Sequence, residues 1–281
     1  MPNAVALPSI QRLNIQGVEV QIEGQGTETL LMLHGWPDTM ALWNDTVLAL
    51  RDTHRCVRFT LPAFDAHAPV APKSLIEMVS FINDVVNAVS PDKPVTLVLH
   101  DWGCVFGYEY AAVHPHRVHR MVAVDVGDHN SKALHASLTA KAKWGVFSYQ
   151  IWLALAWQLV NIFGPMGCPL ANRMTRYMAQ VVRCPSPLED MHAGMNVPYA
   201  MKWMGTLEGF ALACNALKIL PTARPMLYIY GKRKPFMFHS ERWLEKIASH
   251  PGSRVEGFDT GHWVMSNKPA QFNALLKEWL G

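Results

Sequence analysis

What the chain lacks narrows its identity first. Charged side chains make up only 17% of the 281 residues and apolar ones 50%, the reverse of the balance that keeps a chain disordered. The net charge is +3 and the basic residues are scattered, so the cationic stripe of a nucleic-acid binder is missing. Five cysteines (Cys56, Cys104, Cys168, Cys184 and Cys214) never form a CxxC pair, which leaves neither a disulfide framework nor a zinc site. An odd, widely spaced set reads as a reducing compartment. The opening residues lack a basic region followed by an apolar run, so a cytoplasmic protein is expected. His114, His116 and His119 crowd together with no carboxylate or thiol partner, and no metal or cofactor is expected. No internal repeat or low-complexity tract is present.

Another absence points elsewhere. From Trp144 to Asn172, 29 residues pass without one Asp, Glu, Lys or Arg. A membrane span takes about 20 apolar residues. Here Ser148, Tyr149, Gln150, Gln158 and Asn161 interrupt the run and Gly164-Pro165 ends it. A buried or pocket-lining helix is the expected reading, with contact to a membrane surface as the alternative. Trp144, Trp152 and Trp157 are accordingly placed in a core or pocket wall.

The remainder alternates strands and helices. Residues 12–25 alternate apolar and polar as an antiparallel edge hairpin does. Solid apolar runs at 30–33, 95–99, 121–124 and 226–230 mark strands covered on both faces, with a weaker candidate at 56–59 and a further strand at 254–258. Helical spacing appears over 74–89, 103–114, 240–249 and 269–280. Such alternation implies a mostly parallel sheet with helices on both faces. Between about 130 and 222 only helical, Trp- and Met-rich sequence appears. The expected organisation is therefore a core of residues 1–129 and 222–281 carrying an inserted helical cap, 130–221. The cap would lie over the C-terminal strand edge, where pockets of open sheets form.

Three segments at strand ends carry chemistry. In VTLVLHDWG, Asp101 occupies the turn between a buried strand and a helix that begins with Gly103. A residue on such an elbow is lifted above the sheet beside the backbone N–H groups of the helix start. A carboxylate there attacks carbon and forms an ester; otherwise it is a helix cap. His34-Gly35-Trp36-Pro37 follows the 30–33 strand, where the N–H of Trp36 would face that of Trp102 as an oxyanion pair. Asp259-Thr260-Gly261-His262-Trp263 follows the last strand, and His262 is the natural general base.

In this order, HGWP, HDWG and GHW resemble the α/β-hydrolase superfamily, specifically its epoxide hydrolases and haloalkane dehalogenases. The resemblance covers about 20–128 and 222–281, and the cap in patches. Leu99 stands where the family usually has glycine, a departure that bears on elbow packing. The position at which epoxide hydrolases carry the triad acid is Lys234, in the run Lys232-Arg233-Lys234 that otherwise reads as an exposed basic loop. Asp125, 24 residues after Asp101, matches the spacing at which some dehalogenases carry the acid; Asp128 and then Asp259 are the rivals. Phe147-Ser148-Tyr149-Gln150 resembles the first cap-tyrosine motif, and Tyr199, with Trp203 four residues on, lies where the second belongs.

The resemblance implies a cofactor-independent epoxide hydrolase, monomer or homodimer, acting on a small apolar epoxide and water. Asp101 is the expected nucleophile, His262 the base, Asp125 the acid, and Tyr149 and Tyr199 the groups on the epoxide oxygen. Trp36, Trp102, Phe147, Gln150, Trp203 and Trp263 are the expected substrate contacts. A dehalogenase-like hydrolase and a non-catalytic binding protein of the same fold are the alternatives.

Overall fold

The computed structural model describes residues 10–68, 70–209 and 224–281. The expected change of domain at 221/222 and Cys214 lie outside them. Eight strands form one sheet: β1 (Gln11–Ile15), β2 (Val18–Glu23), β3 (Thr29–Leu33), β4 (Arg55–Phe59), β5 (Val95–His100), β6 (Val118–Val124), β7 (Met226–Gly231) and β8 (Arg254–Phe258). Their order is β1-β2-β4-β3-β5-β6-β7-β8. The β1–β2 and β2–β4 pairs are antiparallel and the rest parallel. The solid apolar runs are explained by burial on both faces. Leu31 and Leu33 join one core, with helices α2 (Leu75–Val89) and α3 (Trp102–Val113); Leu30 and Met32 join the other, with Trp43, Val47, Phe272 and Leu276. The start of α2 is fixed by a capping box, Ser74 with Glu77. Two short helices lack a sequence expectation, α1 (Asn44–Leu50) and one over Val264–Asn267.

Leu99 is fully buried, and its departure has a local partner. A Cβ on Gly107, one helical turn into α3, would come within 2.5 Å of the Leu99 side chain. The bulk added on the strand is accommodated by its absence on the facing helix.

Between β6 and β7 the chain leaves the sheet for α4 (Lys132–Ser137), α5 (Ala140–Phe163), α6 (Cys168–Val181) and α7 (Val197–Met204). This insert is tied to the β3 end of the sheet by Trp36 Nε1–H donating to Asn196 Oδ1 at 2.8 Å and by Ser186 Oγ–H donating to Asp38. The uncharged stretch is helical and its first half lines a cavity through Phe147, Tyr149 and Gln150, in keeping with the pocket-lining reading, but most of the helix is not buried. Within α5 only Gln150, Leu153, Ala154 and Ala156 are buried. Trp144 is 68% exposed and Trp152 37%, so neither belongs to a core, while Trp157 is half-buried.

Candidate active site

The winding of the sheet decides where the site lies. The strand after β3 is laid on one side of it and β5 on the other, so a crevice opens between their C-terminal ends. Leu33 pairs with Leu99 and His100 with Val124, which brings the residues just beyond, Gly35, Asp101 and Asp125, to one edge. Gly35 is required there: a Cβ would sit 2.5 Å from both Asp101 Cβ and Trp102 N. His34 fixes the same loop, its Nδ1–H donating to Gly35 O and its Nε2 accepting from Leu61 N, both at 2.9 Å. Burial holds its pKa down at about 4, so it is neutral.

Asp101 stands on the elbow with φ 51° and ψ −120°, a left-handed conformation that side chains rarely adopt. One carboxylate oxygen, Oδ1, accepts the N–H of Trp36 at 3.3 Å; the other lies 3.8 Å from His262 Nε2. On the far side of the imidazole, Nδ1–H donates to Asp125 Oδ2. Asp125 is fully buried, its own φ is 70°, and its Oδ1 accepts the N–H of Gly231 at 2.9 Å. The rivals are elsewhere. Asp128 accepts from Ser240 N at 2.8 Å and from the hydroxyls of Ser240 and Ser131. Asp259 is exposed and paired with Arg233 at 3.1 Å.

Lys234 corrects the expected basic loop. Lys232 and Arg233 of that run face solvent, but the Lys234 side chain is 6% exposed and its ammonium is bound to Asp125 Oδ1. A cation thus occupies the position where the resemblance calls for an acid, and it meets the acid that stands in for it. Burial opposes the Asp125 charge, yet the Lys234 and His262 cations hold its pKa below the ordinary carboxylate value. Burial likewise opposes the His262 charge, but Asp125 and Asp101 outweigh it and raise the imidazole to about 9.

Around His262 lie His100 and Asp38, which the sequence reading left without a role, and Trp263, which it placed against substrate. His100, fully buried, packs against it with ring centroids 4.6 Å apart and planes tilted by 43°, and donates Nε2–H to the His262 carbonyl at 3.3 Å. Trp263 is buried, its indole N–H donating to Asp38 Oδ2 at 2.9 Å. Burial raises the Asp38 carboxyl to about 6. Trp263 supports His262 from below, with rings 4.9 Å apart, and does not line the cavity. The Trp36 indole, committed to Asn196, does not line it either. The HGWPD run contained the signal for Asp38; nothing in the sequence marked Asn196 as the partner of Trp36.

Above Asp101 a cavity of about 390 Å³ opens between the sheet edge and the insert. Trp102, Phe147, Tyr149, Gln150, Tyr199 and Trp203 line it as expected; Phe236, Met237 and Phe238, from the loop after Lys234, were not foreseen. The Tyr199 ring meets those of Trp36, Trp102 and Tyr149 edge-on at 5.7, 5.3 and 6.0 Å. The indole of Trp203, a donor only, gives its N–H to Gln150 Oε1 at 2.9 Å, which turns the Gln150 amide NH₂ to donate to the Tyr149 hydroxyl oxygen at 3.0 Å. The Tyr199 hydroxyl is hydrogen-bonded by the Trp102 side chain, likewise a donor. Burial raises both phenol pKa values, so both hydroxyls keep their protons.

The alpha/beta hydrolase family matches residues 30–275. The chain belongs to that family. A mutant epoxide hydrolase from Bacillus megaterium, solved with a naphthyloxy-propanediol product, has the same fold: TM-score 0.65 at 21% identity, covering 96% of this chain and 99% of that one. A mutant of the haloalkane dehalogenase DatA from Agrobacterium tumefaciens gives 0.66 at 17% identity, covering 98% and 97%. By sequence the chain resembles a cis-3-alkyl-4-alkyloxetan-2-one decarboxylase of Shewanella oneidensis, 33% identical over 112 residues. That match covers 37% of this chain and 34% of the relative, so the chain spans about a third of that relative's length. Human epoxide hydrolase 4 is 22% identical over 269 residues, 91% of this chain and 73% of that protein. These comparisons show the alpha/beta hydrolase family and its fold.

Proposed function

We propose that this hydrolase opens a small apolar epoxide to a vicinal diol through an ester on Asp101. The observation that carries the reading is the orientation of the two tyrosines. Each hydroxyl oxygen already accepts an N–H, from Gln150 at Tyr149 and from Trp102 at Tyr199, so each O–H proton is free to donate to a third atom in the cavity beside Asp101. An alkoxide leaving a saturated carbon is a poor leaving group and needs such donors; a halide needs no proton. The Trp36 indole, a donor of the kind a halide needs, is spent on Asn196.

In the first step a carboxylate oxygen of Asp101 bonds to an epoxide carbon as the C–O bond breaks, and a tyrosine donates its proton to the released oxygen. In the second, water adds to the ester carbonyl while His262 Nε2 takes its proton. The N–H groups of Trp36 and Trp102 hold the resulting oxyanion. The C–O bond to Asp101 then breaks, and the leaving alkoxide takes the proton of the newly added hydroxyl, so the diol departs and the carboxylate is regenerated. The tyrosinate of the first step is reprotonated by the His262 imidazolium, whose proton the attacking water restores. The high resting pKa of His262 suits this order. Part of what raises it is the Asp101 charge, and esterification removes that charge. The imidazolium then gives up its proton more readily just when a base is required.

The test is a panel of styrene oxide-like epoxides, primary haloalkanes and a β-lactone. The last is included because the Shewanella relative is named for a strained oxetanone. Diol release from the epoxides is expected; halide release without diol would replace the reading with dehalogenation, and no turnover of any of the three would leave a binding protein.

A further inference from the structure

We propose that the outward face of α5 and α6 seats the protein on an anionic bilayer surface, with the pocket mouth against the lipid. Helix α5 belongs to the segment Ala140–Met166, long and apolar enough to cross a membrane, yet only 22% of its most apolar stretch is buried. It cannot cross as folded, because its buried residues Leu153, Ala154 and Ala156 pack inward and Gln150 is held by Trp203. Instead, exposed Trp144, Leu155 and Ile162 recur after 11 and 7 residues, whole numbers of turns, along one stripe. On α6, exposed Leu170, Tyr177 and Val181 recur after 7 and 4. Trp152 joins the two stripes, its indole N–H donating to Met174 O at 3.0 Å and its ring meeting Tyr177 at 6.0 Å. Met166, at the turn between the helices, is 83% exposed.

Charge selects the occupant. From 129 to 188 the chain has no Asp or Glu but carries Lys132, Lys141, Lys143, Arg173, Arg176 and Arg183. Lys141, Lys143 and Arg173 are exposed beside the apolar stripes. Apolar side chains ringed by cations match an anionic headgroup layer over acyl chains. A second copy would set the same cations against each other with no acid from this segment to answer them. The face also runs into the cavity: the Trp144 ring meets Phe147 at 5.7 Å, Phe147 meets Trp203 at 5.1 Å, and both of the latter line the pocket. Entry of an apolar substrate along that strip rests on the reaction proposed above; the seating itself does not.

The experiment is co-sedimentation with vesicles, read without any turnover. The full chain is expected to pellet with equal parts phosphatidylcholine and phosphatidylserine, weakly with phosphatidylcholine alone, and progressively less as salt rises. Leu155→Ser with Ile162→Ser should lower partitioning at least about tenfold at unchanged melting temperature. Lys141→Glu with Lys143→Glu should erase the preference for phosphatidylserine. Two results would overturn the proposal: no pelleting with the mixed vesicles, or a dimer in vesicle-free light scattering that the Leu155/Ile162 substitutions dissolve.

Discussion

The sheet edge and the helical insert meet across one cavity, yet they are built on opposite rules. At the edge every reacting candidate is fixed by neighbours: Asp101 by the elbow and Trp36, His262 by Asp125 and His100, Asp125 by Gly231 and Lys234. In the insert Tyr149 is held by Gln150 alone and Tyr199 by Trp102 from the sheet edge, while the outer surface is apolar with cations beside it. The edge is specified by contacts that admit one residue type. The insert is specified by composition and tolerates change, and substitutions on the two sides should differ accordingly.

The largest effect is expected at the elbow. Asp101→Ala should lower diol formation by roughly 10⁵–10⁶-fold, measured by product chromatography, since removing a nucleophile removes the whole route. One step behind come Asp125→Asn and His262→Gln, which should spare the attack and slow ester hydrolysis about 10²–10⁴-fold. Both should accumulate enzyme heavier by one substrate on intact-mass analysis, and Asp128→Asn should not. Trapping by Asp128→Asn alone would transfer the role of the acid. The insert's own contribution should be smaller: Tyr149→Phe with Tyr199→Phe should slow single-turnover alkylation about 10²-fold at unchanged melting temperature.

Lys234 tests the edge electrostatically. With Lys234→Met the Asp125 carboxylate faces His262 alone, so the imidazole pKa should rise above its present value of about 9. The pH midpoint of ester hydrolysis should move up with it, at a stability cost of about 3 kcal/mol for the broken buried pair. The sign for wild type follows from the same shift. The folded pKa lies above the ordinary 6.5, so the ion pairs of His262 stabilise in full below that value and are lost as pH rises through about 9. Melting temperature should therefore fall across that window, and Asp101→Asn should flatten the fall.

The smallest effects separate the two regions by packing. Gly107→Ala should cost about 1–3 kcal/mol by striking Leu99, with part of the loss recovered by Leu99→Ala in the double variant. Ile162→Ser, exposed on the insert, should stay within about 0.5 kcal/mol. Urea denaturation measures both.

The same contrast explains what was legible. Strands buried on both faces read directly from solid apolar runs, and HGWP, HDWG and GHW were visible because each falls at a strand end with its glycine in place. Asp125 was legible only through the resemblance, which puts an acid at that distance from the elbow in some dehalogenases, and the fold sets it against His262 Nδ1. Lys234 was not legible: three consecutive cations look like a solvated loop, and only the fold of the β7 end shows that Arg233 turns out and Lys234 turns in. Trp36 and Trp263 were expected in the pocket because an aromatic beside a motif looks like a substrate wall. Their indole N–H groups instead need buried acceptors, Asn196 and Asp38, that lie far away in sequence. The sequence left α5 between a buried or pocket-lining helix and contact with a membrane surface, because an uncharged helix reads the same whether its apolar side meets a core or an outside surface.

The most direct measurement is a single turnover in oxygen-18 water with enzyme in excess over epoxide, followed by mass analysis of diol and protein. An ester on Asp101 predicts an unlabelled diol from the first turnover, because the new C–O bond carries a carboxylate oxygen, with one oxygen-18 left in the peptide that contains Asp101. A diol that carries oxygen-18 from the first turnover, with unlabelled protein, would mean direct addition of water and would contradict the account.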